Sequence, residues 1–321
     1  MHKHKKLKIL FLGLVMAAGG YFIAQKSAVF FKAEPTGQKP EVLGAFIDAR
    51  GEPGPADLAN KKNFPFLLAD DLKTVKAKSY RVFALDGGQI LTEKQPDLKL
   101  PIASLTKLMT AYITYQTLDF QSLDSVKNPR AANISPSLGL KDGDSVQIGD
   151  LFNAMLIGSA NDAAFELASA FEKRFAGTDF TDEMNAQAAL LNMNDSNFSN
   201  PAGFDIGRNF STAADMQKLV NATFSLAAFK NLSRKTSYSF AGALGKDYRV
   251  RSTNRLINKY DDILAVKTGY TQNSLGSMVT VLETSFGDVG IIVLDSPQRE
   301  TDTLLIRKAI LNAIASDSKT K

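Results

Sequence analysis

The sequence contains no cysteine and no tryptophan, and its only histidines are His2 and His4, at the extreme N-terminus. The absence of cysteine excludes disulfides, thiolate metal sites, iron–sulfur clusters and a cysteine nucleophile. Because both histidines precede any segment that could fold as a globular domain, a Ser-His-Asp triad and a histidine-ligated zinc site are also excluded. If the protein is a hydrolase, its general base must therefore be a lysine or a carboxylate.

The positive net charge belongs to the N-terminal segment. The 321 residues include 38 Lys and Arg and 33 Asp and Glu, which gives a net charge of +5. Residues 1–33 contain six lysines and no acid, so the rest of the chain carries 32 basic against 33 acidic residues. We therefore do not expect nucleic acid as a partner.

The first 62 residues have the composition of a targeting segment followed by a linker. Residues 2–8 are basic, and residues 9–24 are mostly apolar. This order predicts a signal peptide or N-terminal membrane anchor over residues 1–33, with the rest of the chain exported beyond the cytoplasmic membrane. No clear Ala-x-Ala site follows the apolar run, which favours a retained anchor over cleavage and secretion. Residues 34–62 contain four prolines and are expected to form a linker before a folded domain over residues 63–321.

Beyond the linker, the patterns predict strands at both ends of the domain and helices in its middle. The predicted strands are residues 79–86, 89–94, 236–241, 248–253, 263–267, 277–283 and 287–295. The predicted helices are residues 104–118, 149–172 with an interruption near Gly158, 180–193, 211–225 and 301–315. This order predicts an α+β domain with one antiparallel sheet, in which the N- and C-terminal strands lie side by side, and an all-helical insertion.

The first candidate catalytic motif is Ser104-x-x-Lys107 at the start of a predicted helix. Residues three apart lie on the same helix face, so the lysine amine can approach the serine hydroxyl. A lysine can act as a base only when it is neutral, so its pKa must be lowered by burial or by a neighbouring cation. Alone, this motif is more often an N-cap serine followed by a solvated lysine.

Two further motifs are individually weak. Ser159-x-Asn161 follows an apolar helix and can place a hydroxyl and an amide in one cleft, although a simple helix cap has the same pattern. Lys267-Thr268-Gly269 follows an apolar strand, where lysine and glycine share a face and a ligand can approach beside a fixed cation. Alone, that tripeptide is more often a strand that ends in a turn.

The three motifs in this order form the signature set of penicillin-binding proteins and class A β-lactamases. The surrounding sequence resembles the D-alanyl-D-alanine carboxypeptidase family of low-molecular-mass penicillin-binding proteins, from about Tyr80 to Asp295. Other segments that match this family are Met184-Asn185, Asn200-Pro201-Ala202-Gly203-Phe204, Ser211-Thr212-Ala213-Ala214-Asp215, Asn254-Arg255-Leu256 and Val266-Lys267-Thr268-Gly269-Tyr270-Thr271. The resemblance implies a β-lactamase/transpeptidase-like fold with an antiparallel five-stranded sheet flanked by helices.

The resemblance also implies catalytic roles. Ser104 would be the acylated nucleophile, Lys107 would take its proton, and Ser159 would pass a proton towards the leaving amine. Asn161 would hold both the substrate amide and Lys107. No metal and no cofactor are implied.

The same resemblance implies how the substrate is bound. Lys267 and Thr268 would receive the terminal carboxylate of D-Ala-D-Ala beside Gly269. The backbone N–H groups of Ser104 and Tyr270 would form the oxyanion hole. The implied partners are peptidoglycan stem peptides, with β-lactam antibiotics as acylating inhibitors.

Two departures from the family pattern leave the reaction open. Ser274-Leu275-Gly276 stands where Ala-Gly is usual, so we expect a shifted or bulged strand after the third motif. The chain also ends after the last predicted helix, without the β-rich C-terminal domain of many relatives, and single-domain relatives include DD-endopeptidases.

We therefore expect a serine DD-carboxypeptidase, with a DD-endopeptidase as the nearest alternative. A β-lactamase is less favoured because no Glu-x-x-Asn segment lies between the second and third motifs. A catalytically silent, penicillin-binding wall module is a further alternative.

Overall fold

The computed structural model describes residues 64–65, 67, 69–205, 208–224, 229, 234–257 and 259–320. The predicted leader, residues 1–33, and the predicted linker, residues 34–62, lie outside these described residues. Within the described part of the chain, no helix combines the length and the apolar character needed to cross a membrane.

A five-stranded antiparallel sheet forms the centre of the domain, with the strand order β2-β1-β11-β10-β9. Its N-terminal strand β1 pairs directly with its C-terminal strand β11, from Ser79 opposite Leu294 to Ala84 opposite Val289. This pairing confirms the predicted α+β fold with the two chain ends side by side. In chain order, the strands are β1 Ser79–Ala84, β2 Ile90–Lys94, β3 Leu100–Pro101, β4 Leu123–Ser125, β5 Ser145–Gln147, β6 Phe210–Ser211, β7 Ser237–Ala241, β8 Asp247–Arg251, β9 Ile263–Thr271, β10 Leu275–Leu282 and β11 Val289–Ser296.

The helical insertion lies between β2 and β9 in the sequence, as predicted. Its break near Gly158 separates two helices, and Thr212 caps a later helix by accepting a hydrogen bond from the Asp215 backbone N–H at 3.0 Å. The helices are α1 Lys107–Thr117, α2 Ile148–Gly158, α3 Asn161–Arg174, α4 Phe180–Leu190, α5 Ala213–Phe224 and α6 Arg299–Thr320. Short 3₁₀ helices cover Ala69–Leu72 and Ala103–Thr106.

The sheet is buried on both faces, and β11 shows how its sequence achieves this. Ile292 and Leu294 belong to a core that the sheet shares with the helical insertion. Val289, Ile291 and Val293 belong to a second core on the other face, which includes residues of α6. Successive strand residues point to opposite faces, so a continuous apolar run is what a strand covered on both sides requires.

Several elements differ from the sequence prediction. The predicted all-helical insertion also contains the strand pairs β3–β6 and β4–β5, whose two or three residues are too few to give a periodic signal in the sequence. Strands β7 and β8 pair only with each other in a separate two-stranded sheet, because a strand pattern does not specify its partner. Strand β9 continues past Lys267 to Thr271, so the third motif lies inside a strand rather than at its end. Ser104 lies in the 3₁₀ helix, and the α-helix begins at Lys107.

Candidate active site

Ser104 and Lys107 lie at the junction between the 3₁₀ helix and α1. In a 3₁₀ helix, side chains three residues apart eclipse each other, which brings these two together more directly than an α-helix would. The Lys107 Nζ lies 2.9 Å from the Ser104 Oγ. Ser104 is partly exposed, whereas Lys107 is fully buried. Ser104 is therefore accessible from solvent, and the amine reaches its hydroxyl from the protein interior.

The surroundings of Lys107 favour a neutral amine. Burial lowers the pKa of Lys107 well below its ordinary value of 10.5, the charge of Lys267 lowers it further, and Asp162 opposes both effects. Besides Ser104, the Nζ contacts the Asn161 Oδ1 at 2.9 Å and the Ala202 carbonyl oxygen at 2.6 Å. These two atoms can only accept, so they use both protons of a neutral amine. The amine lone pair is then free to accept the proton of the Ser104 hydroxyl.

The second motif lies in the break between α2 and α3. Ser159 adopts the left-handed conformation, with φ of 58°, and α3 begins at Asn161. The Asn161 backbone N–H donates to the Pro136 carbonyl oxygen at 2.8 Å, and its side-chain Nδ2 donates to the Ile134 carbonyl oxygen at 3.0 Å. These bonds orient the Asn161 side chain, so that its oxygen faces Lys107.

Asp162 holds the loop that covers this break. Its carboxylate accepts hydrogen bonds from the backbone N–H groups of Leu138 and Leu140, at 2.9 and 3.0 Å. Burial raises the pKa of Asp162, and these backbone donors partly offset that effect. Asp162 therefore positions one wall of the site and contributes negative charge near Lys107.

The third motif approaches the first two from the edge strand β9. The Lys267 Nζ donates to the Ser159 Oγ at 2.9 Å and to the Thr268 carbonyl oxygen at 3.0 Å. A Cβ at Gly269 would lie 3.1 Å from the Ser104 backbone nitrogen, so glycine allows the strand to pass close to the nucleophile. Burial lowers the pKa of Lys267 to about 7, and the charge of Arg299 also lowers it.

The remaining predicted residues lie on the same strand. The Thr268 hydroxyl is buried and donates to the Thr253 Oγ1 at 2.8 Å. The Tyr270 side chain is 65% exposed, next to Gly269. Hydrogen bonds thus link the three motifs, from Ser104 through Lys107 to Asn161, and from Ser159 to Lys267.

Arg299 is a site residue that the motifs did not reveal. It begins α6, and its guanidinium Nη1 donates to the Gly269 carbonyl oxygen at 2.5 Å. A Cβ at Gly276 would lie 3.0 Å from the Arg299 Cδ and 2.7 Å from the Ser296 carbonyl oxygen, so Gly276 leaves room for this side chain. The only signal in the sequence is the arginine itself, 30 residues beyond Gly269.

The expected irregularity after the third motif is present. Gly276 pairs regularly with Tyr270 of β9, while a bulge between Gly276 and Met278 shifts the register against β11. Ser274 closes the turn before β10 through its hydroxyl, which lies 2.8 Å from the Thr271 Oγ1. The altered sequence therefore leaves the pairing of the motif-bearing strand intact.

A tight turn supplies the carbonyl that holds Lys107. The Asn200 Oδ1 accepts from the backbone N–H groups of Gly203 and Phe204, at 2.8 and 3.0 Å. Gly203 has φ of +83°, and a Cβ there would overlap the Ala103 carbonyl oxygen. The segment 200–204, which the sequence identified only as a match to the family, therefore packs directly against Ala103, the residue before the nucleophile.

The arrangement can support nucleophilic catalysis. It combines a partly exposed hydroxyl, a buried amine whose lowered pKa favours the neutral form, a second hydroxyl beside the buried Lys267, and a further cation at Arg299. A carboxylate would be attracted to the two cations, while a carbonyl carbon next to Ser104 could be attacked.

The family model described as D-alanyl-D-alanine carboxypeptidase, peptidase family S11, matches residues 67–298. The chain belongs to this family. This finding confirms the resemblance identified in the sequence, and the match includes all three motifs and most of the folded domain.

Individual relatives of this family carry two different descriptions. A D-alanyl-D-alanine carboxypeptidase of Bacillus subtilis, DacF, is 26% identical over 201 residues, which cover 61% of this chain and 51% of the relative. A D-alanyl-D-alanine endopeptidase of Pseudomonas aeruginosa is 31% identical over 217 residues, which cover 65% of this chain and 68% of the relative. The chain thus spans about half the length of the B. subtilis protein.

A solved structure supports the fold. Penicillin-binding protein D2 from Listeria monocytogenes, in its ampicillin-bound form, aligns with a TM-score of 0.62 at 28% identity. The alignment covers 74% of this chain and 99% of that structure. The predicted β-lactamase/transpeptidase-like architecture is confirmed.

Proposed function

We propose that this protein is a serine-type D-alanyl-D-alanine carboxypeptidase, which removes the terminal D-Ala from peptidoglycan stem pentapeptides. The observation that carries the proposal is the contact of a buried lysine, its pKa lowered by burial, with the hydroxyl of Ser104. Membership of the family supplies the substrate class.

In the proposed acylation step, the Ser104 Oγ attacks the carbonyl carbon of the penultimate D-Ala. Lys107 takes the hydroxyl proton, and the new C–O bond forms as the carbonyl becomes an oxyanion. The backbone N–H groups of Ser104 and Tyr270 are proposed to stabilise that oxyanion, a contribution that reaches about 3 kcal/mol per donor in other serine enzymes.

The peptide bond then breaks, and the departing amine of D-Ala needs a proton. The Ser159 hydroxyl is suited to supply it, because its oxygen accepts a hydrogen bond from the Lys267 Nζ at 2.9 Å, which leaves its own proton available. The proton that Lys107 took from Ser104 then passes to Ser159, which restores the hydroxyl and the neutral amine. Water afterwards attacks the acyl-enzyme and Lys107 takes its proton. As the acyl C–O bond breaks, Lys107 returns a proton to the Ser104 Oγ, and the shortened peptide leaves with a new carboxylic acid group, which ionises in solution. Lys267 and Arg299 are proposed to hold the terminal carboxylate of the substrate throughout acylation.

A DD-endopeptidase that cuts peptidoglycan cross-links is the second candidate. The same catalytic residues would serve it, and the 31% identical P. aeruginosa relative is described as an endopeptidase. The two activities differ in what the outer cleft accepts beyond the scissile bond.

We further propose that the protein acts outside the cytoplasmic membrane and that β-lactams acylate Ser104. The basic and apolar leader supports export and anchoring. The ampicillin-bound form of the Listeria relative supports the reaction with β-lactams.

Release of D-Ala from a soluble stem pentapeptide tests the proposed function. We expect the full-length protein to release D-Ala and Ser104→Ala to release none. Cross-linked muropeptides, assayed in parallel, separate the two candidates: cleavage of these alone would replace the carboxypeptidase by the endopeptidase. Stable acylation by penicillin with no hydrolysis of either substrate would instead identify a silent binding module.

A further inference from the structure

Thr253 lies beside the proposed carboxylate site, although it belongs to none of the three motifs. Its backbone N–H donates to the Ile157 carbonyl oxygen at 3.3 Å, two residues before Ser159. Its hydroxyl oxygen lies 2.8 Å from the Thr268 Oγ1. Thr253 therefore joins the end of α2, which directly precedes Ser159, to strand β9, which carries Lys267.

The direction of the hydroxyl hydrogen bond leaves one proton free. Thr268 donates and Thr253 accepts. A hydroxyl has one proton to donate, so the Thr268 proton is occupied. The Thr253 hydroxyl makes no other hydrogen bond among the residues that the structure describes, so its own proton remains available. Thr253 is also partly exposed, whereas Thr268 is only 4% exposed.

A carboxylate at this site needs donors as well as cations. Lys267 supplies charge, but its Nζ already donates to Ser159 and to the Thr268 carbonyl oxygen, which leaves one of its three ammonium protons for a carboxylate. Charge-assisted hydrogen bonds from hydroxyl groups are among the stronger ones in proteins. A free hydroxyl proton beside Thr268 would therefore be used when a carboxylate enters.

We propose that Thr253 is a further carboxylate-binding residue, whose hydroxyl donates to the terminal carboxylate of the substrate beside Lys267 and Thr268. The inference rests on the proposed acyl-enzyme chemistry at Ser104. It does not depend on whether the natural substrate is a pentapeptide or a cross-link.

The test compares the acylation of the full-length protein by benzylpenicillin and by its methyl ester, which lacks the free carboxylate. The second-order acylation rate is measured by intact-protein mass spectrometry. We expect Thr253→Val to lower the rate with benzylpenicillin by about tenfold or more, the usual effect of losing one hydrogen bond to a charged group. The rate with the methyl ester should stay within about twofold, and Thr253→Ser should restore the rate with benzylpenicillin.

Thr280→Val is the matched control. Thr280 is a buried threonine of β10, and its hydroxyl has no partner within the described part of the chain. We expect this variant to react with both compounds like the wild type. Should Thr253→Val be unfolded at the assay temperature, Thr253→Ala takes its place.

Three results would overturn the inference. These are an unchanged rate of Thr253→Val with benzylpenicillin, an equal fall with both compounds, and a wild type that is not acylated. The equal fall would assign Thr253 a purely structural role. The proposed function is tested separately, by release of D-Ala. A wild type that is acylated but hydrolyses no pentapeptide would contradict the carboxypeptidase assignment and would not affect the inference about Thr253.

Discussion

The low pKa of Lys267 predicts that substrate capture weakens as the pH rises above neutrality. The shift from 10.5 to about 7 places its titration within the working range of many enzymes. It corresponds to a bias of about 5 kcal/mol towards the neutral amine. At pH 9, only about 1% of the free protein would carry a charged Lys267. Since the neutral amine cannot attract a carboxylate, kcat/KM should fall about tenfold per pH unit above 7.

The assay is a pH profile, from pH 5 to pH 10, of D-Ala release from the stem pentapeptide. The alkaline fall should appear in kcat/KM near pH 7 and in kcat only at higher pH, because a bound carboxylate raises the pKa of Lys267. The corresponding peptide amide, which lacks the terminal carboxylate, should be a poorer substrate, and its kcat/KM should show no such fall at alkaline pH. A kcat/KM that stays level to pH 9 would refute this reasoning.

Arg299→Met probes the same electrostatics independently. The charge of Arg299 lowers the pKa of Lys267, so its removal should move the alkaline fall to higher pH. The variant should also bind substrate more weakly overall, because one of the two cations is lost. An alkaline fall at the same pH as in the wild type would contradict the assigned interaction.

Three other substitutions have defined outcomes. Lys107→Gln should slow acylation by benzylpenicillin about 100-fold or more, measured by mass spectrometry, because the general base is lost. Gly203→Ala should lower the free energy of unfolding in urea by about 1–3 kcal/mol, since its Cβ would overlap the Ala103 carbonyl. Burial and the neighbouring Asp124 raise the pKa of Glu166 from 4.5 to about 7, so this group's stabilisation is lost as the pH rises between those values. In Glu166→Gln, the free energy of unfolding from urea titrations should no longer fall as the pH rises from 4.5 to about 7. A fall as large as that of the wild type would contradict this assignment.

The sequence predicted much of the fold because the sheet and the insertion carry strong patterns. The apolar run of β11 and the two strands before residue 95 specify a sheet formed from both chain ends. The strands of the β7–β8 hairpin gave the same kind of signal, yet they pair apart from the main sheet. Their partners depend on tertiary packing, which local periodicity does not encode.

The motifs predicted the side chains of the candidate site but not its whole environment. Ser104, Lys107, Ser159 and Asn161 were found because each motif places them close together in sequence. Arg299 and the Ala202 carbonyl were missed for different reasons. Arg299 reaches the site only through the packing of α6, and a backbone carbonyl carries no residue-specific signal.

Mapping the acyl-enzyme tests the central claim that Ser104, activated by Lys107, is the nucleophile. The full-length protein is treated with benzylpenicillin, and the adduct is located by peptide mass spectrometry. The account predicts one adduct on Ser104, none in Ser104→Ala, and much slower formation in Lys107→Gln. An adduct on another residue, or one that persists in Ser104→Ala, would contradict it.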